Sequence, residues 1–123
     1  MSNIRRVKIE SGAIDSSGDA VVYSRPITGK LLSVQVSYDT NTCTVDLDTD
    51  KPVAENLLNL SAANTNAVYY PRVQIHDNTG AGVTYDGSNE VYEPYSISGK
   101  VKLTIASGTQ DEEVKVYLIV EEY

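Results

Sequence analysis

Residues 29–48 constrain the fold more than any other stretch, because two apolar runs there alternate with polar residues. The apolar side chains of each run share one parity: Leu32, Val34, Val36 and Tyr38 in the first, and Cys43, Val45 and Leu47 in the second. A period of two gives a strand one buried face and one wetted face. Residues 39–42, DTNT, have side chains that hydrogen-bond their own backbone, which is typical of a turn. The stretch therefore predicts a β-hairpin.

The same alternation recurs along the rest of the chain. Further strands are predicted at residues 5–11, 20–24, 67–77, 99–107 and 114–123. The last two are expected to form a second long hairpin that faces the first across a shared core. Turn signals separate the strands at short, regular intervals. About eight strands with this spacing indicate an all-β fold, an antiparallel β-sandwich or jelly roll, with residues 1–123 in a single domain.

Three segments depart from the regular strand pattern. Residues 53–60 space Val53, Leu57 and Leu60 at helical intervals, so we expect at most one short helical turn there, with a strand as the alternative. Pro71 has no N–H to donate to a ladder, which predicts an edge position or a bulge. Residues 1–6 are expected to form an extended arm.

Composition excludes several classes of function. The chain has nine Tyr but neither Phe nor Trp, and hydroxyl-bearing rings suit sheet surfaces and protein interfaces better than a dry core. A net charge of −7 argues against nucleic acid as the main partner. The single cysteine permits no internal disulfide and favours a reducing compartment. Without a secretory signal or a membrane-length apolar segment, we expect a soluble protein made inside a cell, with no membrane partner.

One acidic run begins like a calcium loop. Asp46, Asp48 and Asp50 match its first three ligand positions. Lys51, however, stands where the loop needs Gly, and Leu57 stands where it needs Glu. We interpret Asp46 and Asp48 as the solvent face of a strand.

The remaining candidates for chemistry are few. Asp77, Asp86 and Glu90 cluster in sequence and leave a loop-held calcium ion as an open alternative. His76 is the only histidine and is interpreted as a surface residue. Cys43 is interpreted as a small buried residue, with a Cys–His nucleophile as the open alternative. We therefore expect no enzyme, no cofactor and no metal centre.

Two features suit binding. Arg5, Arg6 and Lys8 make the amino end locally basic, so it could reach an acidic protein surface or remain a solvated tail. Tyr92 and Tyr95 flank a Glu-Pro pair; exposed tyrosines of this kind could stack on sugars, pack at strand ends or fill a subunit interface. These five residues are the candidate interface.

Four short motifs resemble small structural proteins of tailed bacteriophages. They are SGDAVVYS at 17–24, ITGKL at 27–31, YPR at 70–72 and GKVKLTIASG at 99–108. In order, they are spread along the chain from residue 17 to residue 108. The family usually has a strongly glycine-rich turn after the last motif, and GTQD at 108–111 keeps only part of it.

The resemblance implies a β-sandwich of the capsid decoration, or cement, type. Such a protein binds the major capsid protein of the assembled head and stabilises the shell, as a homo-oligomer (trimer or dimer). It would be made in the host cytoplasm and reside on the capsid surface of the virion. A head–tail connector or tail component is a close variant. The alternative from another class is a carbohydrate-binding, lectin-like host-recognition module.

Overall fold

A computed structural model describes residues 3–123, which form eleven β-strands and no helix. The strands are β1 (Asn3–Glu10), β2 (Ala20–Tyr23), β3 (Ile27–Ser37), β4 (Cys43–Thr49), β5 (Asn56–Ala63), β6 (Ala67–Tyr69), β7 (Arg72–Gln74), β8 (Tyr92–Pro94), β9 (Ser96–Gly99), β10 (Val101–Ala106) and β11 (Lys115–Glu122). The prediction of an all-β antiparallel fold is confirmed. The strand count exceeds the predicted eight because several strands are only three or four residues long. In the described range, no helix has the length and apolarity to span a membrane.

The strands form two main sheets and one small one. The five-stranded sheet has the order β1-β11-β3-β6, and β9 pairs with the other half of β3. The four-stranded sheet has the order β2-β10-β4-β5, and β7 pairs with β8. The first strand thus lies beside the last in one sheet, and the second beside the penultimate in the other. This order is compatible with a jelly roll, which stays a prediction.

One hydrophobic core joins the two main sheets. The alternating residues of the long strands supply it, including Leu31 and Leu118 from the five-stranded sheet and Leu47, Leu103 and Ile105 from the four-stranded sheet. All five side chains are fully buried. Full burial of an aliphatic side chain contributes about 1.5–3 kcal/mol, so these layers hold the sandwich together.

Neither predicted long hairpin forms. β3 and β4 belong to different sheets, and so do β10 and β11. Residues 38–42 and 107–114 therefore cross over the end of the core from one sheet to the other. Alternation has the same appearance in both arrangements, because each strand turns its apolar face to the core whichever sheet it joins.

Residues 53–60 contain no helical turn, and from Asn56 onward they form the alternative, a strand: β5 pairs with β4 and buries Leu57. The prediction of an arm at the amino end is wrong for residues 3–6, because they pair with residues 119–122 of β11. The first two residues of the predicted arm lie outside the described range.

The single strand predicted at residues 67–77 is divided. Pro71 separates β6 from β7, and these two strands belong to different sheets.

Candidate functional site

A basic patch lies on the outer face of the five-stranded sheet. β11 buries Val116 and Leu118, which turns Tyr117 outward between them, and the register places Lys8 directly opposite Tyr117. The Arg6 guanidinium carbon is 5.3 Å from the centre of the Tyr117 ring, and the Lys8 Nζ is 5.9 Å from it. Both distances lie within cation–π range. We call Arg6, Lys8 and Tyr117 the basic face.

The charge of Lys8 is held by a neighbour on its own strand. Its Nζ lies 2.5 Å from Glu10 Oε1. The hydrogen bond to Glu10 raises the pKa of Lys8 and lowers that of Glu10, so both groups are ionised at neutral pH. The basic face therefore carries a Lys8 ammonium that is paired with Glu10 at its margin.

A shallow depression adjoins Tyr117 on the side away from β1. Its volume is about 280 Å³, and Gln35, Asn66, Val68 and Tyr117 contribute to its lining. The register places Gln35 between Tyr117 and Val68 on neighbouring strands, so these three side chains form one row across the sheet. The outer face thus combines cations, one aromatic ring and a shallow recess.

Arg5 belongs to a different group from Arg6 and Lys8. It is exposed and pairs in register with Val120, on the opposite side of β1. Its charge is a minor contributor to the lowered pKa of Glu122, whose main cause is the hydrogen bonding of Arg25. The Arg25 guanidinium donates two bonds to that carboxylate, at 2.9 and 2.6 Å. Arg5 therefore lies beside an ion pair at the end of β11.

The two tyrosines of the candidate interface differ from each other. Tyr92 lies in β8 and is 55% exposed, and its hydroxyl donates to the Glu90 carboxylate, which raises the pKa of Tyr92. Tyr95 is half-buried against the core, and its carbonyl accepts from the Leu31 N–H at 2.9 Å. Tyr95 precedes β9, which lies three strand spacings, about 14 Å, from β1. The five candidate residues therefore do not form one surface.

The acidic residues of the loops close their own turns. Asp77 Oδ1 accepts from the N–H groups of Thr79 and Ala81, and Asp86 Oδ1 accepts from that of Asn89. Hydrogen bonds within each turn lower the pKa of both carboxyls. Within residues 3–123, no group of three or more His, Cys, Asp or Glu side chains is placed to hold a metal ion.

The other residues considered for chemistry lie apart. Cys43 is buried at the start of β4, and burial raises the pKa of its thiol, which disfavours the nucleophilic thiolate. His76 is exposed and forms an isolated backbone bridge with Gly82. Asp46 and Asp48 lie on the outer face of β4, where both accept hydrogen bonds from the Asn56 amide at 3.0 and 2.9 Å.

Sequence reasoning missed Tyr117, the residue that organises the basic face. Its outward parity was readable from the alternation of VKVYLIV at 114–120, but its position beside β1 depends on the pairing of the first and last strands. Comparison with family models, with curated proteins and with solved structures found no match for the chain.

Proposed function

We propose that the protein is a virion structural protein of the capsid decoration type, which binds the assembled phage head through its basic face. The observation that carries the binding role is that Arg6 and Lys8 both lie over the Tyr117 ring in a chain of net charge −7. A positively charged patch favours an acidic partner surface and disfavours a basic one. The phage assignment comes from the resemblance of residues 17–24 and 99–108.

Weak contacts are sufficient for such a role. An exposed cation–π contact contributes only about 0.5–1 kcal/mol, and the depression beside Tyr117 is shallow. A homo-oligomeric trimer or dimer on a repeating shell would engage several copies of the major capsid protein at once. Once one subunit is bound, the other subunits meet their sites at a high effective concentration. Several weak contacts then give a high overall affinity without a tight pocket in any one subunit.

The direct test is the location of the chain in virions. Particles are disrupted, heads are separated from tails by density, and each fraction is quantified by mass spectrometry against the major capsid protein. We expect the chain in the head fraction at a fixed ratio to that protein. Recovery in the tail fraction would identify the connector or tail role, and absence from both would reject a virion role.

A carbohydrate-binding module is the second candidate, because three exposed tyrosines lie close together in sequence. Tyr70, Tyr85 and Tyr92 are 66%, 73% and 55% exposed. The Tyr92 hydroxyl donates to the Glu90 carboxylate, which orients the Tyr92 ring. A glycan array with Tyr92→Ala, and with Tyr92→Phe as the matched control, tests this function. Sugar stacking predicts binding that Tyr92→Phe retains and Tyr92→Ala loses. A wild-type protein that binds no glycan would reject it.

A further inference from the structure

β1 is a long sheet edge with one side open. All eight of its residues pair with β11 in an uninterrupted register, from Asn3 opposite Glu122 to Glu10 opposite Lys115. In the described part of the chain no strand pairs with its other side. An unpaired edge presents a row of N–H and C=O groups to any extended chain that approaches it.

The other edges of the two main sheets lack this regularity. β2, β6 and β9 have only four, three and four residues. β5 has eight residues, but its pairing with β4 is interrupted twice and Ala62 has a φ of 49°, in the left-handed region. Short or irregular edges are the usual protection against unwanted pairing. Within residues 3–123, β1 alone is both long and regular.

The direction of the β1 backbone groups follows from one hydrogen bond. The Ser11 N–H donates to the Val114 carbonyl at 2.9 Å, and this pair continues the β1–β11 register. Because bonded and non-bonded pairs alternate in an antiparallel ladder, odd-numbered residues direct their N–H groups to β11. Even-numbered residues direct theirs to the open edge: Ile4, Arg6, Lys8 and Glu10.

The charge of β1 decides what fits this edge. If two copies paired through β1 with Val7 at the centre, Arg6 of one copy would oppose Lys8 of the other, and directly opposed like charges destabilise a ladder. An acidic strand would instead place carboxylates opposite the same two cations. We propose that β1 binds an extended acidic segment of a partner protein by strand addition.

The backbone groups and the side chains of β1 have separate roles in this complex. The outward backbone groups of the four even-numbered residues supply affinity for any extended chain. The Arg6 and Lys8 side chains lie on the outer face beside Tyr117 and select alternating acidic residues. This inference rests on the geometry of β1 and holds for any partner, so it is tested independently of the virion role.

Amide hydrogen exchange measured by NMR tests it directly. The probe is a capped peptide of alternating Thr and Glu, matched in length to β1, and the control is the same peptide with Lys in place of Glu. At a Thr–Glu peptide concentration about ten times its Kd, we expect the outward amides of Ile4, Arg6, Lys8 and Glu10 to exchange about tenfold more slowly. The Thr–Lys peptide offers the same backbone groups but places cations opposite Arg6 and Lys8, so it should slow their exchange much less.

Proline variants separate the backbone contribution from the charge. Lys8→Ala and Lys8→Pro both remove the ammonium, but only Lys8→Pro removes the outward N–H, and it breaks no bond to β11. We expect Lys8→Pro to bind the Thr–Glu peptide about fivefold more weakly than Lys8→Ala, the value of one hydrogen bond. Ile4→Pro against Ile4→Ala repeats the comparison near the end of the strand, in case Lys8→Pro does not fold.

Two outcomes would overturn the proposal. Unchanged exchange of the four amides at the highest soluble Thr–Glu peptide concentration would mean that the basic side chains only protect the edge from pairing. Equal protection by the Thr–Lys peptide would mean that charge does not select the occupant.

Discussion

The outer faces of the two main sheets carry charged side chains of opposite sign in different surroundings. On the four-stranded sheet, Asp46 accepts hydrogen bonds from both Asn56 and Asn59, at 3.0 and 2.8 Å. On the five-stranded sheet, Arg6 and Lys8 lie over Tyr117 beside an open strand edge. The first face bonds its carboxylates to neighbouring amides, whereas the second, where Glu10 pairs with Lys8, leaves the backbone groups of the β1 edge open to solvent. We infer that the first face stabilises the fold and the second binds a partner.

The largest expected effect tests whether both faces rest on one core. Leu118→Ala, in the sheet that carries the basic face, and Leu103→Ala, in the four-stranded sheet, each remove a fully buried side chain. Each should lower the free energy of unfolding by about 2–5 kcal/mol, since a cavity adds to the lost burial. Chemical denaturation checks this. A loss under 1 kcal/mol for either variant would contradict the burial of that side chain in the shared core.

A smaller effect concerns the carboxylate that ties the two crossovers together. Glu112 accepts from the N–H groups of Thr40 and Asn41, at 2.7 and 3.0 Å, which lowers its pKa. Asp39 accepts in return from the Glu113 N–H at 2.8 Å. Because the folded-state pKa of Glu112 lies below its ordinary value of 4.5, its contribution is complete above that pH. The contribution is lost as the pH falls through the folded-state value.

Glu112→Gln should therefore be less stable than wild type at pH 7, and the difference should shrink below pH 4 or so. Denaturation midpoints measured between neutral and acid pH check this. Glu113→Gln is the control, because only the backbone N–H of that residue takes part in the crossover contact. An acid dependence of Glu112→Gln identical to that of wild type would contradict the assignment.

The next effect distinguishes the two outer faces by stability. Asn56→Ala removes the amide that bridges Asp46 and Asp48 and should lower the free energy of unfolding by about 1 kcal/mol or less, as for exposed hydrogen bonds. Arg6→Ala on the other face should change it by no more than about 0.5 kcal/mol. A larger loss for Arg6→Ala than for Asn56→Ala would reverse the roles that we assign to the two faces.

The sequence was sufficient for most of the long strands and for most of the side chains that face the core, since alternation reports burial. Leu32 was predicted to face the core, but an irregularity in the pairing of β3 with β11 buries Leu31 in its place. It did not reveal the pairing: β3 with β11 and β4 with β10 unite strands far apart in sequence. The helical spacing of Val53, Leu57 and Leu60 was misleading because β4 offered a partner for β5.

The candidate site was predictable only in part. Arg6 and Lys8 were recognised as a locally basic pair, but Tyr117 joins them through a contact between the two ends of the chain. Tyr95 was assigned to the interface from its neighbours, yet it is half-buried against the core, and its carbonyl accepts from the Leu31 N–H. Periodicity identifies which side of a strand is wet, whereas a binding surface depends on which strands are adjacent.

The central claim is that the basic face binds the phage head, and a charge-reversal comparison tests it most directly. Purified heads that lack the protein are incubated with Arg6→Glu/Lys8→Glu or with Lys100→Glu/Lys102→Glu, which changes the net charge equally through residues near the four-stranded sheet. Co-sedimentation measures the bound fraction. We expect wild-type binding for the second variant and loss of binding for the first. Equal binding by both variants would contradict the claim.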